Sequence, residues 1–118
     1  MKKRKAEPKP VNLLELIPDK NIQAEKSEGG FYILLKPKYK HPWFVKNILP
    51  RLQNPYFKVK LDDIGSFIWE LCDGQNSVEK IAREMKTRFG DKVEPLYERL
   101  GTYFQNLEKN KFITFKNL

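Results

Sequence analysis

Two apolar stripes of helical period lie between Leu61 and Phe89, separated by Asp73-Gly74. Ile64, Phe67, Ile68, Leu71 and Cys72 form the first stripe, so one face of a short helix is apolar. Asp62 or Asp63 supplies its N-terminal signal, because a carboxylate there accepts from first-turn N–H groups that have no intrahelical partner. Gly74 tolerates the left-handed conformation that ends a helix. Ser77 is the next N-cap, and Val78, Ile81, Ala82, Met85 and Phe89 form the second stripe. Two helices joined by a tight glycine turn are the start of a helix-turn-helix.

The flanking segments supply a sheet. Lys20 to Lys26 alternates, with Ile22 and Ala24 on one face. Glu28-Gly29-Gly30 is a turn, and Phe31–Leu35 reads as a buried strand, so the pair forms a β-hairpin. Phe57-Lys-Val-Lys-Leu61 is a third strand with Phe57, Val59 and Leu61 inward. Pro95 opens a third helix whose stripe is Leu96, Leu100, Tyr103, Phe104 and Leu107, and Phe112–Phe115 is a last short strand. The expected fold is therefore α+β: a small winged helix-turn-helix with an N-terminal three-stranded antiparallel sheet, three helices and a short C-terminal strand.

Two segments stand apart. Asn12–Ile17 is an apolar burst stopped by Pro18, either one helical turn or a docking segment. Lys36–Pro55 is a crossover holding Pro37, Pro42, Pro50 and Pro55, with room for one short helix after Pro42. Its aromatics, Trp43 and Phe44, either cover part of the sheet or face a partner, and the frequency of aromatics in cores favours the first.

The chain has 118 residues, enough for one domain with a single core. Residues 1–12, with Lys2-Lys3-Arg4-Lys5 and two prolines, are expected to be a disordered basic tail, and 13–118 a single domain. The net charge of +8 belongs to the front half, where residues 1–60 hold 14 Lys/Arg against 5 Asp/Glu. That asymmetry suits an acidic partner or a solubilising tail. Cys72 is the only cysteine and lies on an apolar helix face, as a small core residue would. With no apolar run of about 18 residues and no signal-like h-region, the expectation is a cytoplasmic protein without a membrane partner.

Catalytic chemistry finds little purchase. His41 is the only histidine and has no neighbouring cysteine or histidine to complete a metal site, no nucleophile–base pair has local support, and no glycine loop cradles phosphate. The expectation is a protein that is not an enzyme and carries no cofactor. DNA binding is the alternative that a winged helix-turn-helix invites. The third helix, however, exposes Glu94, Glu98 and Glu108 against Arg99 and Lys109, a poor surface for a polyanion, whereas the second carries Lys80, Arg83, Lys86 and Arg88.

The pattern Leu61-x3-Gly65-x3-Trp69-x2-Cys72-Asp73-Gly74-x3-Val78-x2-Ile81-Ala82 resembles the signature of the PqqD family, named for coenzyme PQQ synthesis, and the likeness extends over Gly29 to Phe112. The resemblance implies a peptide-recognition element that binds the leader of a ribosomally made precursor peptide by strand addition and presents it to a radical SAM enzyme. It implies a groove between the third strand (Phe57, Lys58, Val59, Lys60 and Leu61) and the third helix (Leu96, Tyr97, Leu100, Gly101 and Phe104). The residues speak to this independently. An unpaired strand edge accepts an extended peptide, although Lys58 and Lys60 serve equally as guards against edge-to-edge aggregation. Gly101 in mid-helix costs about 1 kcal/mol relative to alanine, a cost offset by a ligand's backbone or by close packing on the second helix. The long crossover and the basic tail depart from the family pattern.

Overall fold

The computed structural model describes residues 12–118. The expected basic tail therefore lies outside the described residues, except for Asn12. Asn12 caps a 3-10 turn at Leu13–Glu15, its side chain accepting from the Leu14 N–H at 3.0 Å. Next come β1 (Pro18–Lys20), β2 (Gln23–Lys26), β3 (Tyr32–Pro37), α1 (Pro42–Asn47) and a 3-10 turn at Leu49–Arg51. β4 (Tyr56–Lys60), α2 (Asp63–Leu71), α3 (Val78–Phe89), α4 (Leu96–Lys109) and β5 (Ile113–Phe115) complete the order.

The fold is α+β, with an antiparallel sheet in the order β2-β3-β4 and α2–α4 packed beside it. The local signals operate as the sequence predicts. Asp62 Oδ1 accepts the Gly65 N–H at 2.7 Å, and Ser77 Oγ accepts that of Lys80 at 3.1 Å. Between these helices Gly74 holds φ +76°, and the Asp73 carboxylate accepts the N–H groups of Gln75 and Asn76. Trp69, Cys72, Val78, Ile81, Leu100 and Phe104 meet in the core, and Leu34 anchors the sheet to it. Burial of Cys72 pushes its thiol up to about 12, so it stays a neutral core residue. Tyr32 ties the sheet to α2: its N–H donates to Ser66 Oγ at 2.9 Å, and its hydroxyl donates to the Glu70 carboxylate.

The structure decides one open alternative and corrects three expectations. The apolar burst before Pro18 is a helical turn, and it also docks: the Leu16 carbonyl accepts the Val78 N–H at 2.8 Å. Pro18 starts a strand instead of merely ending the burst, and β1 pairs with β5 as a separate two-stranded ladder. A proline is tolerated as the first residue of a strand because it then owes no ladder donor. The crossover aromatics are not core: α1 has no buried residue, and Trp43 and Phe44 are 54% and 39% exposed. The flanking prolines leave a helix of six residues, too short to lay an apolar face on the sheet. Finally, Phe57 shares a face with Val59 but lies opposite Lys36 toward the far end of β4, where it is 55% exposed.

Candidate functional site

β4 is an edge strand. Its bonds to β3 fix which of its backbone groups are free. The Leu61 N–H donates to the Tyr32 carbonyl at 2.9 Å, and the Lys38 N–H donates to the Pro55 carbonyl at 3.1 Å. Antiparallel hydrogen bonding alternates, so the odd-numbered residues from Pro55 to Leu61 face β3. Tyr56, Lys58 and Lys60 therefore direct their N–H and C=O groups away from β3, to the open edge. Their side chains project from the sheet face opposite Val59, where Lys58 Nζ lies 3.6 Å from Glu25, a half-exposed pair of little energetic weight.

The open edge runs toward α2 and α4. Leu61 precedes the α2 cap, and a Cβ at Gly65 would stand 3.4 Å from Leu61 Cβ and 3.1 Å from Tyr103 Oη. Glycine at 65 thus lets α4 close on the start of α2. Beside this contact is a cavity of about 140 Å³. Buried Ile68, Met85, Val93 and Leu96 line its depth, and the more exposed Asp62, Arg99 and Tyr103 stand around it. Burial, above all, raises the Tyr103 phenol, which therefore remains protonated and able to donate.

The residues expected to form the α4 wall are divided by this arrangement. Leu96, Leu100 and Phe104 are buried in the core, and Tyr97 is exposed. A turn of 100° per residue puts Tyr97 and Gly101 on one margin of the apolar stripe and Arg99, Tyr103 and Asn106 on the other. Tyr103 faces Gly65, whereas a Cβ at Gly101 would meet only Leu13 Cδ2, at 3.7 Å. The margin beside the strand end is the one with Arg99 and Tyr103. The sequence holds a signal for it, since Gly65 sits inside a helix and Tyr103 is the polar-tipped member of the α4 stripe, but nothing local pairs them. Because the space at Gly101 is ordinary van der Waals distance, Gly101→Ala is expected to stabilise the protein by about 0.5–1 kcal/mol. A urea melt measures it; a loss of stability would mean that close packing requires the glycine.

The family model described as Coenzyme PQQ synthesis protein D (PqqD) matches residues 55–113, half of the chain. The chain belongs to the PqqD family. No curated protein and no solved structure matches it. The matched residues run from β4 through α4 into β5, and so contain the open edge, Gly65, the cavity and Tyr103. β1–β3 and α1 precede them.

Several groups elsewhere in this PqqD member have structural partners. Lys86, whose pKa is raised by its hydrogen bonds to Glu94 and then Asp91, is paired with both carboxylates. The Arg88 guanidinium lies 5.5 Å from the Phe67 ring centre. His41 caps α1, its Nδ1 accepting the Trp43 N–H at 3.1 Å. Among the described residues no group of three His, Cys, Asp or Glu is placed to hold a metal ion, and no helix is long and apolar enough to cross a membrane.

Proposed function

We propose that this PqqD member is a non-catalytic peptide-recognition protein. An extended segment, the leader of a ribosomally made precursor peptide, adds to the open edge of β4, and the bound precursor is presented to a modifying enzyme of the radical SAM type. The observation that carries this reading is the free edge itself: Tyr56, Lys58 and Lys60 offer outward N–H and C=O groups in a row that ends beside the cavity at Asp62, Arg99 and Tyr103. A strand paired there completes the ladder for the backbone, while the cavity accepts an apolar side chain. Membership of a family described by coenzyme PQQ synthesis supports a place in peptide-derived cofactor or natural-product maturation.

The test is an amide chemical-shift and hydrogen-exchange titration with a candidate leader peptide, synthesised from a short open reading frame sought beside this gene. The expected result is shifts at residues 56–61, Arg99 and Tyr103, with new exchange protection at the outward amides of Tyr56, Lys58 and Lys60. Shifts confined to α3, or protection at β2 instead of β4, would overturn the assignment.

A further inference from the structure

From Lys36 to Lys60 the chain holds seven Lys/Arg and no Asp/Glu. Among the described residues only Lys58 of these seven is paired with a carboxylate. The same segment displays an aromatic cluster. Tyr39 stacks on Phe44 with ring centres 5.1 Å apart, and Trp43 meets Phe44 edge-on at 5.1 Å. Tyr39, Trp43 and Phe44 are nevertheless between 39% and 54% exposed. Residues 36–54, the lobe proper, precede those that the family model matches, so membership does not account for it.

Its position relates it to the strand edge. The crossover leaves β3 at Pro37 and rejoins β4 at Tyr56, held at its base by the bond from the Lys38 N–H to the Pro55 carbonyl. The lobe therefore stands at one end of β4 and the cavity at the other. Lys38 Nζ also lies 5.5 Å from the ring centre of exposed Phe57 on β4 itself. β4 is only five residues long, so any peptide longer than that continues past Tyr56 toward the lobe.

We propose that the lobe is the second half of the peptide site and takes an acidic stretch of the same extended peptide. This rests on the strand-addition reading above. Carboxylates of that stretch pair with Lys38, Lys40 and Lys46, and an apolar neighbour packs on Trp43 and Phe44. Uncompensated cations favour an anionic occupant, and continuity with the backbone groups of β4 favours a peptide. Single-stranded nucleic acid would also meet cations and aromatics, but it stacks bases on open ring faces, and Phe44 already holds Tyr39 on a face and Trp43 against the ring.

Trp43 provides the readout, since Trp69 is 1% exposed and acrylamide quenching reports the surface tryptophan. Decaglutamate is expected to shield Trp43 from acrylamide at low salt and to lose the effect as salt is raised. The triple variant K38E, K40E and K46E is expected to weaken decaglutamate at least tenfold, while K80E, R83E and K109E, an equal change of charge elsewhere, leaves it unaltered. A candidate leader peptide that protects β4 in the titration above is expected to displace decaglutamate. Absence of shielding, an equal loss in both triple variants, or tighter binding of a ten-residue oligothymidylate or of phosphatidylglycerol vesicles would overturn the proposal. Failure of that peptide to displace bound decaglutamate would also overturn it by separating the two surfaces, yet would leave strand addition at β4 standing.

Discussion

Trp69→Ala is expected to destabilise the protein by about 3–5 kcal/mol, the range for removing a large aromatic side chain from a packed core. Trp69 is 1% exposed and sits in the cluster that joins α2 to the rest of the core. Its loss opens a cavity where the N-terminal segment, α2 and α3 are already tied together. Lys20 lies with its Nζ 5.7 Å from the indole centre and donates to the Cys72 carbonyl at 3.0 Å, so that ammonium would lose one side of its support. Against a total of about 5–15 kcal/mol for a domain of ordinary stability, the change leaves a marginal fold. The measurement is a urea melt with the slope compared between variants, since an unchanged slope with a lower midpoint assigns the effect to the native state. A change under about 1 kcal/mol would show that Trp69 contributes little packing.

Trp69 and Trp43 show how far the sequence reaches. Trp69 lies in a nine-residue helix with a cap at Asp62, at the margin of the apolar stripe, and there the bulk of its indole names it for the core. Trp43 lies in a six-residue helix between prolines, and whether it is covered depends on where a crossover comes to rest. No period decides that, and the aromatic's usual preference for the core misleads. The same division holds at the site. The alternation of residues 57–61 names a strand, but only the bonds to Tyr32 and Lys38 reveal that the even-numbered residues own the free donors. On α4 the stripe identifies Leu96, Leu100 and Phe104 as a face without saying which margin adjoins β4. That choice is made by the contact of Tyr103 with Gly65, 38 residues away in the chain. The β1–β5 ladder, joining Pro18–Lys20 to Ile113–Phe115, was illegible for the same reason.

The ladder register separates binding from folding at two adjacent residues. The N–H of Lys58 points to the open edge and that of Val59 points to β3. Lys58→Pro therefore removes a donor from an incoming strand and sets a pyrrolidine ring in its path, while every β3–β4 hydrogen bond is kept. Proline is tolerated on edge strands when the missing N–H faces solvent. The expected result is a loss of precursor-peptide affinity of at least about tenfold, equivalent to about 1.4 kcal/mol, with urea stability changed by less than about 1 kcal/mol. Lys58→Ala controls for the lost ammonium, since it keeps the N–H and should retain most of the affinity. Val59→Pro does the reverse: it removes a bond to β3, leaves the carbonyl of buried Leu34 without its partner, and is expected to cost about 1–3 kcal/mol of stability. If a leader peptide that binds the unaltered protein binds Lys58→Pro as tightly, β4 does not receive it, and its site must be sought at another surface, the outer edge of β2 first.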